Sequence, residues 1–325
     1  AALDALRTEF GSKIAPLQIA IGKGEDFGGY VDLVHRKAYL YTDGKRQEAP
    51  IPEDMADEVA TRREQLLEAA ADADDDVLMK YLEGEEVSDE ELELCLHKGV
   101  KDSVLAPVML TSANRDIGMT AMLDAIIRYL PTPLEEPPVK ASDNRGDEIE
   151  VSADPDGPLL AQVFKTTADP FVGRLTYFRV WSGSLKAQST VYNAQKGEDE
   201  RIAQVFYIKG SEQEPVDEVR AGEIGAVAKL AHTVTGDTLS SKETPLTMAP
   251  IEYPEPTLPV AVEPASKADL DKLSGALSRL QEEDPTIVVE RSAETGEQLM
   301  RAQGENQIQL AGERLTRKFG TTIVL

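Results

Sequence analysis

The chain has 325 residues, 41% of them hydrophobic, so it can form two or three domains with cores of their own and is too apolar to remain disordered. No apolar run reaches the roughly 20 residues that cross a bilayer, and the N-terminal segment lacks the pattern of a secretion signal. A single cysteine excludes a disulfide framework. We therefore expect a cytoplasmic protein with no membrane partner. The formal net charge of −25 has three interpretations: avoidance of nucleic acid, solvated acidic faces, or a basic protein partner.

Helical and strand-like patterns alternate along the first part of the chain. A short amphipathic helix carries Leu3, Leu6 and Phe10, and Pro16 then opens a strand at 17–22. The elements that follow are two short strands within 30–41, three acidic helices near 53–71, 76–83 and 88–98, and a buried strand at 104–110. A last helix, which Pro131 ends, has one apolar face formed by Met119, Met122, Leu123, Ile126, Ile127 and Leu130.

Two proline-rich segments, 131–138 and 251–259, divide the chain, so we predict domains at 1–140, 141–250 and 251–325. Between the two segments, short β-like runs separated by Gly, Asp and Pro predict a closed β-barrel. The last domain has the order strand, helix, strand, strand, helix, strand, which is that of a ferredoxin-like unit. Ser266 and Asp269 predict a capping box at its first helix. The predicted fold class is therefore α+β with several domains.

Most residues with catalytic or metal-binding chemistry lie in patterns that predict no site. The histidines are far apart and lack metal-ligand spacing: His35, His97 and His232. Cys95 lies on a predicted helix, where burial as a small apolar residue explains it. Three aspartates at 74–76 lack the spacing of a calcium loop, and Gly22 and Gly24 fit no phosphate-binding glycine pattern, so we expect them to turn the chain. We predict no catalytic residue and no metal site.

Residues 111–114, TSAN, lie between the predicted buried strand and the last helix of the first domain. A small residue such as Ala113 lets backbone N–H groups approach the O6 atom of a guanine base, while the hydroxyl of Ser112 braces the loop. An ordinary strand-to-helix loop explains the same four residues. The segment by itself therefore does not decide between the two interpretations.

Longer segments, in the same order and over nearly the whole chain, resemble bacterial elongation factor G. The strands and acidic helices of that family's G′ insert are similar to PLQIAIGKGEDFGGYVDLVHRKAYLY and LLEAAADADDDVLMKYLEGEEVSDEEL, so the insert would span about 16–103. The family's fifth guanine-nucleotide motif and final GTPase helix resemble PVMLTSANRDIGMTAMLDAIIRYLPTP. Its second domain resembles ADPFVGRLTYFRVWSG and TGDTL, and its third resembles ETGEQLMRAQGE.

The resemblance implies a partial α/β GTPase domain with an α+β insert, then a translation-factor β-barrel, then a ferredoxin-like βαββαβ domain. It implies that a full-length parent uses GTP and Mg²⁺ to drive translocation of tRNA and mRNA. The sequence begins after the family's N-K-x-D motif and contains no P-loop or switch region, so we expect these residues alone to bind no cofactor and to hydrolyse no GTP. Ser112, Ala113 and Asn114 would form the guanine-base loop.

The resemblance also implies ribosomal partners. An acidic surface would bind the basic part of the stalk protein, with a solvated face as the alternative; its residues are Asp54, Asp57, Glu58, Glu64 and Glu68. Basic side chains would contact ribosomal RNA, because phosphate neutralisation dominates such binding; they are Arg174, Arg179, Lys186, Arg314, Arg317 and Lys318. We expect a monomer that binds the ribosome weakly and in a salt-sensitive way.

Two departures from the family pattern leave the task of the parent open. Residues 302–309, AQGENQIQ, stand where the family has G-M-G-E-L-H-L-E, and TSAN stands where G-S-A-F-K is common. Both suggest a diverged paralogue, whose task is translocation, ribosome recycling or ribosome protection. A non-enzymatic module that binds the ribosome or its stalk is an alternative, as is an independent hydrolase, although no residue spacing supports the hydrolase.

Overall fold

The computed structural model describes residues 2–169 and 173–325, and the chain divides into two compact units, Ala1–Thr132 and Pro133–Leu325. Pro170, Phe171 and Val172, which belong to the segment ADPFVGRLTYFRVWSG, lie outside the described residues. Within the described ranges, no helix is both long enough and apolar enough to span a membrane.

The first unit combines helices with short strands. Its helices are α1 (Ala2–Phe10), α2 (Ala56–Ala71), α3 (Asp75–Glu83), α4 (Asp89–Lys101) and α5 (Met119–Tyr129). Its strands are β1 (Ile14–Pro16), β2 (Gln18–Ile21), β3 (Gly29–Asp32), β4 (Lys37–Thr42), β5 (Lys45–Ala49) and β6 (Ala106–Val108). Strands β2 to β5 form an antiparallel meander, whereas β1 pairs with β6 in parallel.

The helices of this unit begin and pack for local reasons. Ser88 and Glu91 form a reciprocal capping box at the start of α4, and Asp74 accepts hydrogen bonds from the first backbone N–H groups of α3. Leu66, Leu92 and Leu96 are buried against the meander in one continuous core. The predicted helices and paired strands are therefore present. The strand predicted at 17–22 is β2, and a further short strand, β1, lies immediately before it.

The end of the first unit is less buried than its apolar residues suggest, and the expected burial of the strand at 104–110 is wrong. Strand β6 is half-buried, because among the described residues it pairs only with β1. The predicted apolar face of α5 is exposed, with Ile127 81% accessible, and the buried residues of the helix are Ala121 and Tyr129. The helix therefore packs through its small and aromatic side chains and leaves a stripe of large apolar residues uncovered.

The second unit begins with a region of β-strands. These strands are β7 (Val139–Ser142), β8 (Glu148–Val151), β9 (Leu160–Asp169), β10 (Gly173–Ser182), β11 (Ser184–Lys186), β12 (Ser189–Asn193), β13 (Glu198–Ile202), β14 (Val205–Lys209), β15 (Glu212–Val216), β16 (Glu218–Arg220), β17 (Ile224–Ala228), β18 (Thr238–Ser240) and β19 (Thr247–Met248). An eight-stranded antiparallel sheet has the order β13-β12-β18-β9-β10-β17-β14-β15 and encloses its own core, which is consistent with the expected barrel.

The sheet owes its core to alternating side chains. Along β10, Phe178 and Val180 are buried, whereas Arg179 and Trp181 face outward and are half-buried. A register shift between Tyr177 and Phe178 marks a bulge against β9, and bulges increase local twist. The sheet can therefore curl instead of lying flat.

The rest of the second unit has the expected ferredoxin-like order. Its elements are β20 (Leu258–Ala261), β21 (Glu263–Pro264), α6 (Lys267–Glu283), β22 (Val288–Arg291), β23 (Gln298–Ala302), α7 (Glu305–Phe319) and β24 (Ile323–Val324). The interrupted first strand, β20 with β21, pairs with β23 on one side and β24 on the other, and β22 pairs with β23. Leu277, Leu280 and Leu315 bury the helices against this sheet.

The predicted capping box at α6 does not form. The Ser266 hydroxyl donates to the Asp269 carboxylate at 2.5 Å instead of accepting from the helix backbone. The second oxygen of Asp269 accepts from the backbone N–H of Thr322 at 3.1 Å. The aspartate therefore ties the start of α6 to the segment before β24, and this tertiary contact replaces the local cap.

Candidate functional site

The TSAN segment forms a closed turn between β6 and α5. The backbone N–H of Ser112 donates to the carbonyl of Ile117 at 2.9 Å, and the N–H of Ile117 donates back at 3.1 Å. Asp116 and Gly118 both have positive φ, 52° and 77°. A Cβ atom at Gly118 would lie 2.2 Å from the carbonyl oxygen of Leu110, so only glycine fits where α5 begins. Ala113 and Asn114 are exposed at the tip of this turn.

Contacts with the meander hold the turn in place. The Arg115 guanidinium donates to the carbonyls of Glu25 and Phe27, both at 2.8 Å. The buried side chain of Gln18 accepts from the backbone N–H of Leu110 at 2.9 Å, just before the turn. Sequence reasoning missed both braces, because each joins residues about 90 positions apart. The turn and the tip of the β2–β3 hairpin therefore form one connected piece.

The guanine-base loop stays a prediction, and two features of the turn bear on it. The exposed, small Ala113 leaves backbone accessible at the tip of the turn. The Ser112 hydroxyl does not cap the short helical turn at Ala113–Arg115, so the bracing that we expected from it comes from its backbone and from Arg115. The 325 residues contain no P-loop pattern, so nothing in this sequence is recognisable as a holder for the phosphates or Mg²⁺.

The five carboxylates of the predicted stalk surface are all exposed. Asp57, Glu64 and Glu68 are seven and four residues apart on α2, so they lie along one line of the helix, opposite the buried Val59 and Leu66. Glu58 pairs with Arg62 at 3.9 Å, and Asp54 lies in the turn before the helix. Burial, and then Glu68 and Glu64, raise the pKa of the nearby Tyr81 hydroxyl on α3.

The buried side of α2 holds a cation that the sequence pattern did not indicate. The Arg63 side chain is buried and donates to the carbonyls of Leu33 and Val34. It also forms an ion pair with Asp89, at the start of α4, at 2.7 Å. Arg63 therefore fastens the acidic helix to the meander and to α4, since it satisfies backbone groups and a carboxylate at once.

The basic residues predicted to contact RNA are not gathered in one patch. In the barrel region, Arg174, Arg179 and Lys186 line three different cavities. The Arg179 guanidinium stacks on Trp181, with its carbon atom 4.1 Å from the ring centroid. On α7, Arg317 is exposed and forms no ion pair with any described residue.

Two of these cations are used at the junction between the barrel region and α6. Arg174 donates to the carbonyl of Leu230 and lies 3.8 Å from Glu282. Lys318 pairs with Glu283, whose carboxylate also accepts from the backbone N–H of Ala168 in β9. The Glu283 side chain is nearly buried and so joins β9, α6 and α7 at one point. Arg314 forms a longer pair with Asp284, at 3.8 Å.

A buried carboxylate organises the loop before the TGDTL segment. Glu200 is 2% exposed and accepts hydrogen bonds from the backbone N–H groups of Ala231, His232 and Thr233 at 2.9, 2.7 and 2.7 Å. It also accepts from the Thr233 hydroxyl at 2.8 Å. Burial alone would raise the pKa of Glu200, but these donors outweigh it and hold the pKa below its usual value. Sequence reasoning missed this residue, because EDERI reads as an ordinary exposed strand.

The remaining candidates are structural. Cys95 is buried as expected, and burial raises the pKa of its thiol to about 11, which makes it unreactive. Two histidines that are distant in sequence meet at one residue, since His35 Nε2 lies 3.3 Å from the Arg128 guanidinium and His97 Nδ1 lies 3.2 Å from the Arg128 carbonyl. His232 is placed elsewhere, beside Glu200, through its backbone.

Comparison with known proteins identifies the family. Residues 158–242 match the family described as elongation factor G domain 2, and residues 253–325 match elongation factor G, domain III. Elongation factor G of Thermotoga petrophila is 41% identical over 328 aligned positions, which cover 99% of this chain and 47% of that protein. The same figures hold for elongation factor G of Thermotoga sp. strain RQ2.

A crystal structure of a protein from Thermus thermophilus matches with a TM-score of 0.80 and 34% identity, over 99% of this chain and 46% of that one. The chain thus spans about half the length of the relatives it matches. The loop at 112–118, the barrel region and the ferredoxin-like region lie within one continuous similarity. The chain is homologous to elongation factor G over 99% of its length, and its residues 158–242 and 253–325 match that family's domains 2 and III.

Proposed function

We propose that the chain is part of a ribosome-dependent translational GTPase of the elongation factor G type, in which GTP drives the translocation of tRNA and mRNA. The observation that carries this proposal is the 41% identity with elongation factor G over 99% of the chain. The closed turn at 112–118, with exposed Ala113 and Asn114, supports it as the proposed guanine-base loop. The proposed place of action is the cytoplasm, where such factors would meet ribosomes.

In this proposal, Ser112, Ala113 and Asn114 present backbone and small side chains to the guanine base. Arg115 keeps them in position through its two bonds to the β2–β3 hairpin. GTP with Mg²⁺ would supply the cleavable phosphoryl group, and the residues that hold the phosphates belong to another part of the parent protein. Hydrolysis by these 325 residues alone is not expected, because no P-loop pattern is present.

The uncovered surfaces of the first unit support such a larger GTPase domain. A parallel pair such as β1 and β6 is normally part of a wider sheet that helices cover on both faces. The apolar stripe of α5, which includes Leu123, Ile126 and Ile127, is the kind of face that packs on such a sheet. We propose that the strands and helices which complete this domain cover both features.

We further propose that the acidic line of α2 binds a basic ribosomal stalk protein. Its support is the exposure of Asp54, Asp57, Glu58, Glu64 and Glu68, of which only Glu58 forms an ion pair with a described residue. Opposite charges steer association and weaken with salt. A solvated face is the alternative, and charge reversal of Asp57, Glu64 and Glu68 distinguishes the two.

For RNA contact, we propose that the barrel region and α7 supply the positive charge. Lys186 and Arg317 form no ion pair among the described residues, so they are the most available of the proposed set. Arg174 and Lys318 hold the junction and contribute less, while Arg179 and Arg314 stay as further candidates. Because the whole chain is acidic, we expect weak, salt-sensitive ribosome binding by a monomer.

A diverged paralogue with a role in ribosome recycling or protection is a second candidate, favoured by the residues that depart from the family pattern. Gln307 accepts from the backbone N–H of Gln303 at 2.8 Å and donates to Asp284 and Thr286 at 3.2 and 2.7 Å. Gln303 donates to the carbonyl of Pro254 at 2.9 Å. These glutamines fix the start of α7 to the end of α6 and to the preceding linker. The bonds that do so are made by residues that depart from the family pattern.

Cosedimentation of the chain with bacterial ribosomes tests the proposal. We expect binding that elongation factor G of Thermotoga petrophila displaces and that declines as salt rises from 50 to 200 mM, a range over which phosphate contacts lose roughly 10³-fold or more in affinity when many are made. Lys186→Ala combined with Arg317→Ala should weaken it, whereas Lys209→Ala, whose side chain pairs with Glu214, should not. Binding that the factor fails to displace would refute a shared site.

A further inference from the structure

A cavity in the first unit has no part in the proposed ribosomal role. It has a volume of about 230 Å³ and lies between the meander of β3, β4 and β5 and the helix α5. Tyr30, Tyr39 and Arg46 line the side formed by the meander, and Asp124 and Arg128 line the side formed by α5. The volume is below the 300–1,000 Å³ or so of pockets for drug-sized ligands. It accommodates roughly seven waters, or one small ion with its shell.

Tyr30 lines this cavity, and neither its hydroxyl nor that of the neighbouring Tyr41 forms a hydrogen bond with a described residue. Tyr30 is 1% exposed, and its buried hydroxyl forms no hydrogen bond with any described residue. The hydroxyl of Tyr41 is also buried without a hydrogen bond to a described residue, and the centroids of the two rings lie 6.3 Å apart. Buried polar groups in native proteins nearly always have a hydrogen-bond partner. A buried hydroxyl without one, on a residue that lines a cavity, therefore indicates a ligand or ion that supplies the partner.

The charge near these hydroxyls favours an anion. The Arg46 guanidinium carbon lies 4.9 Å from the centroid of the Tyr39 ring, and its ion pair with Asp124 is long, at 3.9 Å. The other cations that line the cavity already have close partners, since Lys37 binds Glu48 at 3.1 Å and Arg128 binds Glu93. Arg46 is therefore the cation with the most unused capacity, and a guanidinium only donates.

Two carboxylates also line the cavity, and they differ in how firmly they are held. Asp32 accepts from the backbone N–H of Val34 at 2.8 Å and lies 3.0 Å from the ring of His35. Asp124 is half exposed, and its only ion pair among the described residues is the long one with Arg46. An incoming anion would therefore compete with Asp124 and leave Asp32 in place.

We propose that this cavity binds a small oxyanion, phosphate or a short carboxylate, between the Arg46 guanidinium and the hydroxyl of Tyr30. One oxygen of such an ion can accept from both donors, which satisfies the buried hydroxyl and replaces the long pair to Asp124. The cations at the cavity, Arg46, Lys37 and Arg128, oppose binding of a metal ion. The site is independent of the guanine loop, so failure of either proposal leaves the other standing.

Isothermal titration of the chain with sodium phosphate and with sodium acetate, at constant ionic strength set by sodium chloride, tests the site. We expect saturable binding of at least one of the two anions, and the anion that binds identifies the ligand class. Tyr30→Phe removes only the unpaired hydroxyl, so the protein should fold as before and lose affinity by about tenfold to hundredfold, the value of a hydrogen bond to a charged group.

Asp124→Asn provides the opposite test, because it removes the competing charge at an exposed position and should tighten anion binding. Lys45→Ala, next to Arg46 on the same strand but not part of the cavity lining, is the matched control and should leave binding unchanged. The proposal is overturned if neither anion binds, or if the Tyr30→Phe protein binds the anion as well as the unmodified chain does.

Discussion

Replacing Glu200 by glutamine tests whether the buried carboxylate, and not the hydrophobic sheet alone, holds the barrel region together. One oxygen of Glu200 accepts from His232 N–H, Thr233 N–H and the Thr233 hydroxyl, and the other accepts from Ala231 N–H. Glutamine can keep the first three bonds as neutral ones. Its amide group then faces the N–H of Ala231, and two donors cannot pair.

The cost follows from these four bonds. Hydrogen bonds to a charged group contribute about 1.5–3 kcal/mol each and neutral ones about 0.5–1.5 kcal/mol, so losing one bond and weakening three gives a destabilisation of about 3 kcal/mol or more. Because the pKa of Glu200 is lowered in the folded state, its stabilisation is complete above the unfolded pKa, about 4.3, and is lost as the pH falls through the folded value. The difference between variant and unmodified chain should therefore be full at pH 7 and shrink below about pH 4.3.

Trp181 makes the assay local, because it is the only tryptophan of the chain and lies on β10. Urea unfolding followed by its fluorescence reports the barrel region without requiring the whole chain to unfold in one step. Glu198→Gln, two residues away and exposed, is the matched control and should change the free energy of unfolding by less than about 0.5 kcal/mol. Equal free energies for Glu200→Gln and Glu198→Gln at pH 7 would refute the reasoning.

Three further predictions concern the other structural contacts. Gly118→Ala should destabilise the first unit by more than Gly24→Ala does in thermal unfolding. Both glycines have positive φ, but only at Gly118 does a backbone oxygen lie 2.2 Å from the added Cβ. Equal effects would mean that this contact relaxes freely. Arg63→Met should cost about 3 kcal/mol, because it leaves two carbonyls without their donor and leaves Asp89 only its longer pair with Arg36, at 3.5 Å. Hydrogen exchange in α2 and α4 measures this loss, and unchanged protection there would contradict it. Glu283→Gln should speed amide exchange at Ala168, because the backbone N–H of Ala168 donates to the Glu283 carboxylate. Glu313→Gln, at an exposed position, is the control. Slow exchange in both variants would show that Glu283 does not hold the junction.

Local patterns in the sequence were sufficient for much of the fold. The five helices of the first unit begin and end close to the predicted positions, because capping residues and apolar spacing act within a few residues of each other. The βαββαβ order of the last region followed in the same way. The domain limits at 140 and 250 remain predictions, although the barrel and ferredoxin-like regions have separate cores.

The candidate site was less accessible from sequence. TSAN indicated a base loop, but its brace, Arg115, appears as an ordinary basic residue until the turn meets the hairpin. The basic residues of the barrel region that we expect to contact RNA line three different cavities, because strand order, which the sequence does not state, decides where each one lies. The capping box at α6 failed for a similar reason, since Thr322 competes for the Asp269 carboxylate.

The sequence by itself determined which segments are helices and strands, where the chain turns, and that its order of segments is that of the elongation factor G family. Only the tertiary structure decided which polar groups meet, such as Arg63 with Asp89 and Glu200 with the loop at 231–233. It also decided that Tyr30 lines a cavity. The physical reason is the distance along the chain over which each kind of interaction acts. Secondary structure follows from interactions within about one turn of chain, whereas a buried charge or an unpaired hydroxyl is defined by groups that folding brings from far along the chain.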